Sequence, residues 1–504
     1  MVASDITIQG RIPKEVAGRY TFSFSFLTVT LEIHSVEPSM TPNETQLSVT
    51  GFEIEPHSST LNVTERKSKI ATNVVETEEI DVLKLDSDLD FPDGGKKAYS
   101  VVLGSFMGLV SVFGVLNSVG AIQAYISENQ LKETSSSTIS WIFAIYVFMT
   151  FASCILCGCY FDRNGCKLMM YLGSVFSVIG IFTLAESRRV YQFVLSFGVL
   201  FGTGSGILMT CLISSTATWF KDKRANANSM ASIGGSIGGI VFPVMLRKLY
   251  SELGFQWAIR ILGFIITFCL TVSILLTREN PKVMKYCHKR PQWREVVKVY
   301  INHSLDLRYL SDLKFLFCTL GCSFAENGLT IMATYYASYA MKREIPESTA
   351  YTLITIINCC GIAGRISGYI SDRYLGRFAV LCISLVIMTV LNLSMWLPFG
   401  YDLKVLYGYS AVYGFVCASV LSLTPVAVSQ ICQIKDFGKK YSTMYFITAV
   451  MSVPTLPIAG TIIGNGSIKN YNHFIIYCSM LTLAGSICYG LSRWFAIGNR
   501  LVKF

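Results

Sequence analysis

Twelve runs of about 20 apolar residues, separated by short polar turns, constrain this chain more than any other feature. A run of that length crosses the roughly 30 Å hydrocarbon core of a bilayer as an α-helix, with every backbone N–H and C=O bonded inside the segment. The runs cover 98–122, 139–160, 168–186, 190–214, 226–249 and 256–276, then 312–336, 350–370, 378–398, 404–429, 441–463 and 473–493. They predict an all-α polytopic membrane protein with 12 transmembrane helices in two six-helix halves. Composition agrees, since 15% of the residues are charged, against roughly 25% in an ordinary soluble domain. The chain divides into an N-terminal tail (1–97), a first half (98–276), a central loop (277–311), a second half (312–493) and a C-terminal tail (494–504).

Charge is distributed unevenly. The tail carries 16 acidic and 9 basic residues, and the remainder carries 16 acidic and 33 basic, so a net −7 precedes a net +17. The positive charges cluster between spans, as the positive-inside rule requires, which excludes a nucleic-acid stripe. With the tail inside, 23 Lys and Arg fall on the inner face and 9 on the outer, so both termini are expected in the cytoplasm. The tail is rich in Ser, Thr and Glu, a composition that buries too little apolar surface to fold alone, and is expected to be mostly disordered. Its Tyr20–Leu31 stretch, where apolar and hydroxyl residues alternate, is too short and polar for a span. Asn43 and Asn62 would be cytoplasmic, leaving Asn465 in the last outer loop as the candidate glycosylation site. The 16 cysteines lie almost entirely in apolar runs and none falls in the tail, so Cys154, Cys157 and Cys159 read as small hydrophobes. No metal site and no cofactor are expected.

Two loops at matching places in the halves spell nearly the same string. Gly158-Cys-Tyr-Phe-Asp162-Arg163-Asn-Gly165-Cys-Lys167 follows the second run, and Gly368-Tyr-Ile-Ser-Asp372-Arg373-Tyr-Leu-Gly376-Arg377 follows the eighth. Glycine four residues before Asp lets two helix ends approach closely, and Asp can cap or pair across the interface. Gly158, Asp162, Arg163, Gly165, Gly368, Asp372, Arg373 and Gly376 are therefore the candidate gating residues. The doubled string resembles the signature loop of the major facilitator superfamily. That resemblance covers about residues 93–498 and implies two halves rocking around a midplane site.

Further strings resemble the monocarboxylate-porter family and, more closely, its fungal homologues, a group that includes a plasma-membrane riboflavin uptake carrier. Pro92-Asp93-Gly94-Gly95 is similar to the family's motif ahead of helix 1, and Trp219-Phe220-Lys221 through Arg224 to its helix 4–5 motif. Leu116-Asn117-Ser118, the glycine-rich run Ile233–Gly239 followed by Val241-Phe-Pro243, Trp396–Gly400 and Phe437–Phe446 resemble the fungal branch. In proton-coupled porters of the family, a helix 1 lysine and a helix 8 Asp–Arg pair handle proton and carboxylate. Here those positions hold Asn117, Gly361 and Arg365, so of the three only the arginine matches.

Ionisable residues inside spans are costly, and three remain: Glu326, Arg365 and Arg260. Glu326 and Arg365 sit on neighbouring helices and could pair across the cavity, whereas Arg260 is near enough to a span end to snorkel. Asn117, Gln123, Asn358 and Gln430 supply amides, and one of Tyr335 and Tyr336 must face the bundle interior. Asn117, Tyr335, Tyr336, Glu326, Asn358 and Arg365 are therefore the candidate substrate-binding residues. Gly202, Gly204 and Gly206, like Gly234, Gly235, Gly238 and Gly239, follow no strand and read as helix-packing positions rather than a phosphate loop. Pro425, Pro454 and Pro457 are expected to kink their helices.

No span holds a catalytic constellation, so an enzyme is not expected. The resemblance implies a monomeric plasma-membrane transporter working by alternating access, with riboflavin or a similar neutral heterocycle as substrate and no proton coupling. A monocarboxylate porter is the alternative, and a transporter-like nutrient sensor is the alternative from another class.

Overall fold

The computed structural model describes residues 18–24, 27–33, 91–134, 136–282, 307–464 and 466–498. The chain forms two units, Met1–Leu85 and Asp86–Phe504. In the first, the alternating stretch makes an antiparallel hairpin of β1 (Gly18–Phe24) and β2 (Leu27–Ile33), registered from Gly18 opposite Ile33 to Phe24 opposite Leu27. Period-two alternation suits a strand, so this part of the tail carries secondary structure that its overall polarity did not predict. Asn43, Asn62, Asn465 and most of the segment expected to be disordered lie outside the described residues.

The described part of the second unit is helical throughout. We label its helices α1 (Lys96–Tyr125), α2 (Thr138–Asn164), α3 (Lys167–Ala185), α4 (Val190–Trp219), α7 (Leu313–Lys342), α8 (Ser348–Leu375), α9 (Arg377–Phe399), α10 (Leu403–Ile431), α11 (Phe437–Ile463) and α12 (Ile468–Ile497). Between α4 and α7 runs one helical stretch of 53 residues, Arg224–Leu276. At 1.5 Å per residue it would be about 80 Å long, far more than a bilayer core. Gly254, with φ 75 and ψ 175, breaks it into α5 and α6, each of single-span length. Among the described residues twelve spans result, close to the apolar runs. The helices continue through Pro425, Pro454 and Pro457.

Each half packs internally through small residues. In the first, α1 lies along α5 and α6, α2 along α4, and α3 against α4 and α6; in the second, α7 and α9 pack on α12, and α8 on α10. The halves meet where α2 lies on α11 and where α5 lies on α8. These two contacts are equivalent: each joins the second helix of one half to the fifth helix of the other.

The glycine clusters of α4 and α5 are packing surfaces, as their apolar context requires. A Cβ at Gly204 would stand 2.7 Å from Gly173 O, and one at Gly238 would stand 2.6 Å from Gly114 Cα and 2.8 Å from Val110 O. Gly238→Val should therefore cost about 1–3 kcal/mol through overpacking. A lower melting temperature in fluorescence-detected size exclusion checks this.

Candidate functional site

The doubled string forms the end of the bundle where α2 and α8 terminate and α5 and α11 begin. Both helices stop at a glycine in the left-handed region, Gly165 at φ 84 and Gly376 at φ 83, a conformation that favours residues without a side chain. The second copy has one more residue between Asp and Gly. A π-turn over Ser371–Leu375 absorbs it, so Gly376 N–H donates to Ser371 O five residues back, whereas Gly165 N–H donates to Phe161 O four back.

Four residues before each aspartate the halves touch backbone to backbone. A Cβ at Gly158 would run into Gly438 O and Ser442 Oγ of α11, and one at Gly368 into Ser229 and Ala225 of α5. This approach brings each aspartate to a helix start in the opposite half. Buried Asp162 accepts from Gly438 N at 2.9 Å and Lys439 N at 2.8 Å, in the first turn of α11. Asp372 accepts from Asn226 N at 2.9 Å, in the first turn of α5. Carboxylates there satisfy orphan N–H groups and meet the positive end of the helix dipole.

The basic partner of the second copy is not Arg373. Its guanidinium stays on its own surface, donating to Tyr369 OH at 2.7 Å and stacking on Tyr374. Arg377 crosses instead: Nε donates to Asp372 Oδ1 at 3.2 Å and Nη2 to Lys221 O at 2.9 Å. Within this string the basic residue that reaches the other half is therefore the last one, Arg377, rather than the arginine beside the aspartate. In the first copy, Arg163 lies half-buried on the last turn of α2. Two bridges come from α5, where Arg224 Nη1 donates to Ser429 O at 3.3 Å and Asn228 Nδ2 to Ser422 O at 2.7 Å, both on α10. This end of the bundle is closed by bonds between the halves.

Further along the same interface, Arg365 is 7% exposed and donates through Nη1 to Ser232 Oγ of α5 at 2.7 Å. Its Nε has no hydrogen-bond partner among the described residues. Glu326, 5% exposed, accepts from Tyr445 OH of α11 at 3.4 Å. The expected ion pair between Glu326 and Arg365 is not formed: each charge is turned to a different neighbour. Tyr445 lies 5.5 Å from the Phe151 ring of α2, so aromatic side chains of both halves meet beside Glu326.

The two amides come together. Asn117 Nδ2 donates to Gly235 O at 3.2 Å, and a Cβ at Gly239 would stand 2.8 Å from Asn117 Cβ and 2.9 Å from Asn358 Oδ1. Gly239 is the gap that lets amides from α1 and α8 reach the same point. A Cβ at Gly361, where the porters carry aspartate, would make ordinary contacts with Ala418 Cβ at 3.4 Å and Gly414 O at 3.5 Å of α10, so the missing side chain is not a demand of close packing.

Tyr336 does not face this interface. It is fully buried, its OH shares a hydrogen bond with Ser410 at 2.7 Å, and its ring packs on Trp396 and Tyr409 inside the second half. Tyr335 is half-buried, edge-on to Phe474 at 5.5 Å. Arg260 pairs with Glu186 over the Trp257 ring, away from the interface, in keeping with a snorkelling residue.

A profile of the Major Facilitator Superfamily matches residues 101–374. The chain belongs to that superfamily. It is 43% identical over 424 residues to the riboflavin transporter MCH5 of Saccharomyces cerevisiae, spanning 82% of this chain and 81% of that protein. It is 30% identical over 412 residues to the MFS transporter asaE of Aspergillus flavus, spanning 82% and 90%. Among solved structures, its fold matches a bacterial homologue of the iron transporter ferroportin with a TM-score of 0.59 at 13% identity, over 79% of this chain and 99% of that one. This facilitator is a multi-pass membrane transporter, not an enzyme.

Sequence reasoning missed Arg377, Arg224, Asn228, Ser232 and Tyr445 as interface residues. Arg377, Arg224 and Tyr445 lie within the family strings already singled out, which is the signal that could have found them. Asp162→Asn removes the charge of the cap and one of the two oxygens that accept from Gly438 and Lys439, a loss of about 1–3 kcal/mol. Hydrogen exchange at Gly438 and Lys439 should then be several-fold faster, as read by mass spectrometry.

Proposed function

We propose that this facilitator is a plasma-membrane uptake carrier for riboflavin, working as a monomer by facilitated diffusion rather than proton coupling. The motif end is cytoplasmic in this reading, as are both termini, so the bonds of Asp162, Asp372, Arg377, Arg224 and Asn228 close the carrier to the cytoplasm. Sequence support comes from the 43% identity to a riboflavin transporter and from the strings shared with the fungal homologues of the monocarboxylate porters.

The observation that carries the reading is the separation of Glu326 from Arg365. Two charges with no counter-charge among the described residues offer one strong donor and one strong acceptor at the inter-half interface, and burying either so is costly. A neutral imide edge, with carbonyls beside an N–H, answers both without bringing net charge into the membrane. Asn117 and Asn358 can take the hydroxyls of a ribityl chain, and Phe151 with Tyr445 can flank a flat ring. The porters' lysine and aspartate are replaced by Asn117 and Gly361, which removes the ionisable groups that a proton-coupled anion cycle would use.

A second reading has one observation behind it: Arg365 has no carboxylate partner among the described residues, so a monocarboxylate could supply one. Uptake of labelled riboflavin, lactate and pyruvate by cells expressing the chain separates the two. Riboflavin uptake should saturate and survive collapse of the proton gradient, while the carboxylates are not accumulated. Arg365→Ala should cut uptake at least tenfold with membrane insertion intact. Arg365→Lys should not restore it, because an ammonium lacks the planar fork of donors. Strong carboxylate uptake without flavin uptake would reverse the assignment.

A further inference from the structure

The segment ahead of α1 makes contacts that the transport cycle described so far does not use. Asp93 sits at φ 44, in the left-handed region that Asp tolerates better than most residues. Its Oδ1 accepts from three consecutive backbone N–H groups, Lys221 at 2.7 Å, Asp222 at 3.0 Å and Lys223 at 3.3 Å. Its own N–H donates to Trp219 O at 3.2 Å. Phe91 lies under the Lys221 ammonium and Tyr99 packs edge-on to Phe220, so the whole lead-in follows the α4–α5 turn.

That turn is also held from the other half. Lys221 offers its N–H to Asp93 and its carbonyl to Arg377, and three residues after Lys223 the Asn226 N–H is capped by Asp372. The Lys221–Lys223 backbone is thus the point where the start of the first half meets the gate of the second.

An equivalent arrangement exists ahead of α7. Tyr309, four residues before the first residue of α7, lies beneath the ammonium groups of Lys439 and Lys440, 5.0 and 4.9 Å from the ring centroid. Those lysines open α11, and Lys439 N–H is the group that Asp162 caps. In both halves, then, the lead-in to the first helix reaches the start of the fifth helix, where the opposite half's aspartate docks. The two contacts share no sequence, one being a carboxylate on backbone amides and the other an aromatic ring under two cations.

We infer that Asp93 is a positioning residue of the gate: it fixes the α4–α5 turn so that Lys221 O and Asn226 N stand where Arg377 and Asp372 need them. Tyr309 does the same for α11. A residue with only local structural work would affect its own turn. A positioning residue must also affect the other latch, more than 200 residues away, because the two halves open as rigid bodies and neither latch can loosen alone.

Hydrogen-exchange mass spectrometry on the full chain in lipid nanodiscs tests this without any substrate, so it stands apart from the riboflavin assignment. Asp93→Asn should speed exchange at Lys221–Lys223 about tenfold. The deciding result is a parallel rise at Asn226 and at Gly438 and Lys439, with the Gly254 region unchanged, and Asp93→Glu should lie nearer the wild type. A rise confined to Lys221–Lys223, or one spread evenly over all helices, would overturn the proposal. If Asp93→Asn fails to fold, Tyr309→Leu loosens the gate from the other side. It should speed exchange at Asn226, which Tyr309 does not touch, and no change there would equally overturn it.

Discussion

Everything at the closed end depends on two carboxylates placed on helix N-termini of the opposite half. Helix starts expose backbone N–H groups that no residue of the helix can satisfy, and they carry the positive end of the dipole. Asp162 and Asp372 meet that demand at α11 and α5, and each can do so only when the halves are together. The glycines four residues upstream are subordinate to this: without Gly158 and Gly368 the helices would be held apart and the carboxylates would not reach. Such bonds are individually modest and exchangeable with water, so they can be broken and remade.

Between the helices the constraint is the opposite one, since water is scarce and an unpaired charge is expensive. Glu326 and Arg365 would be most cheaply kept as an ion pair, yet among the described residues each has a hydroxyl partner instead, Tyr445 and Ser232 respectively. The Arg365–Ser232 bond crosses between α8 and α5, and Tyr445 comes from α11, packed on α2. The charged groups are therefore tied to the same helix pairs that the aspartate caps hold closed. Any movement that parts α5 from α8 changes what Arg365 touches, so the closed end and Arg365 are linked through residues on shared helices.

Most of the fold was legible in the sequence. Span lengths, the break between α5 and α6 and the doubled turn all follow from local rules of hydropathy and turn chemistry. The amides Asn117 and Asn358 were also recognisable, as polar residues in otherwise apolar runs. Misreadings arose where a residue's role depends on which way its helix is rotated. Tyr335 and Tyr336 are adjacent in sequence and chemically identical, but 100° of helical rotation sends Tyr336 into the second half's aromatic core against Ser410. Arg373 and Arg377 are about one turn apart, yet only Arg377 is aimed across at Lys221 O, while Arg373 stays on Tyr369.

The sequence by itself determined that this chain spans a membrane twelve times, repeats its six-helix plan, and carries two charges that are costly to place in a membrane. Those features are set by composition and spacing within some 20 residues. Only the tertiary structure decided that Glu326 and Arg365 stand apart, that Gly239 admits two amides to one point, and that Asp93 and Arg377 hold the same turn from opposite halves. Each of these involves residues more than 30 apart in the chain, and the choice of partner is made by helix rotation and close packing, which no local pattern encodes.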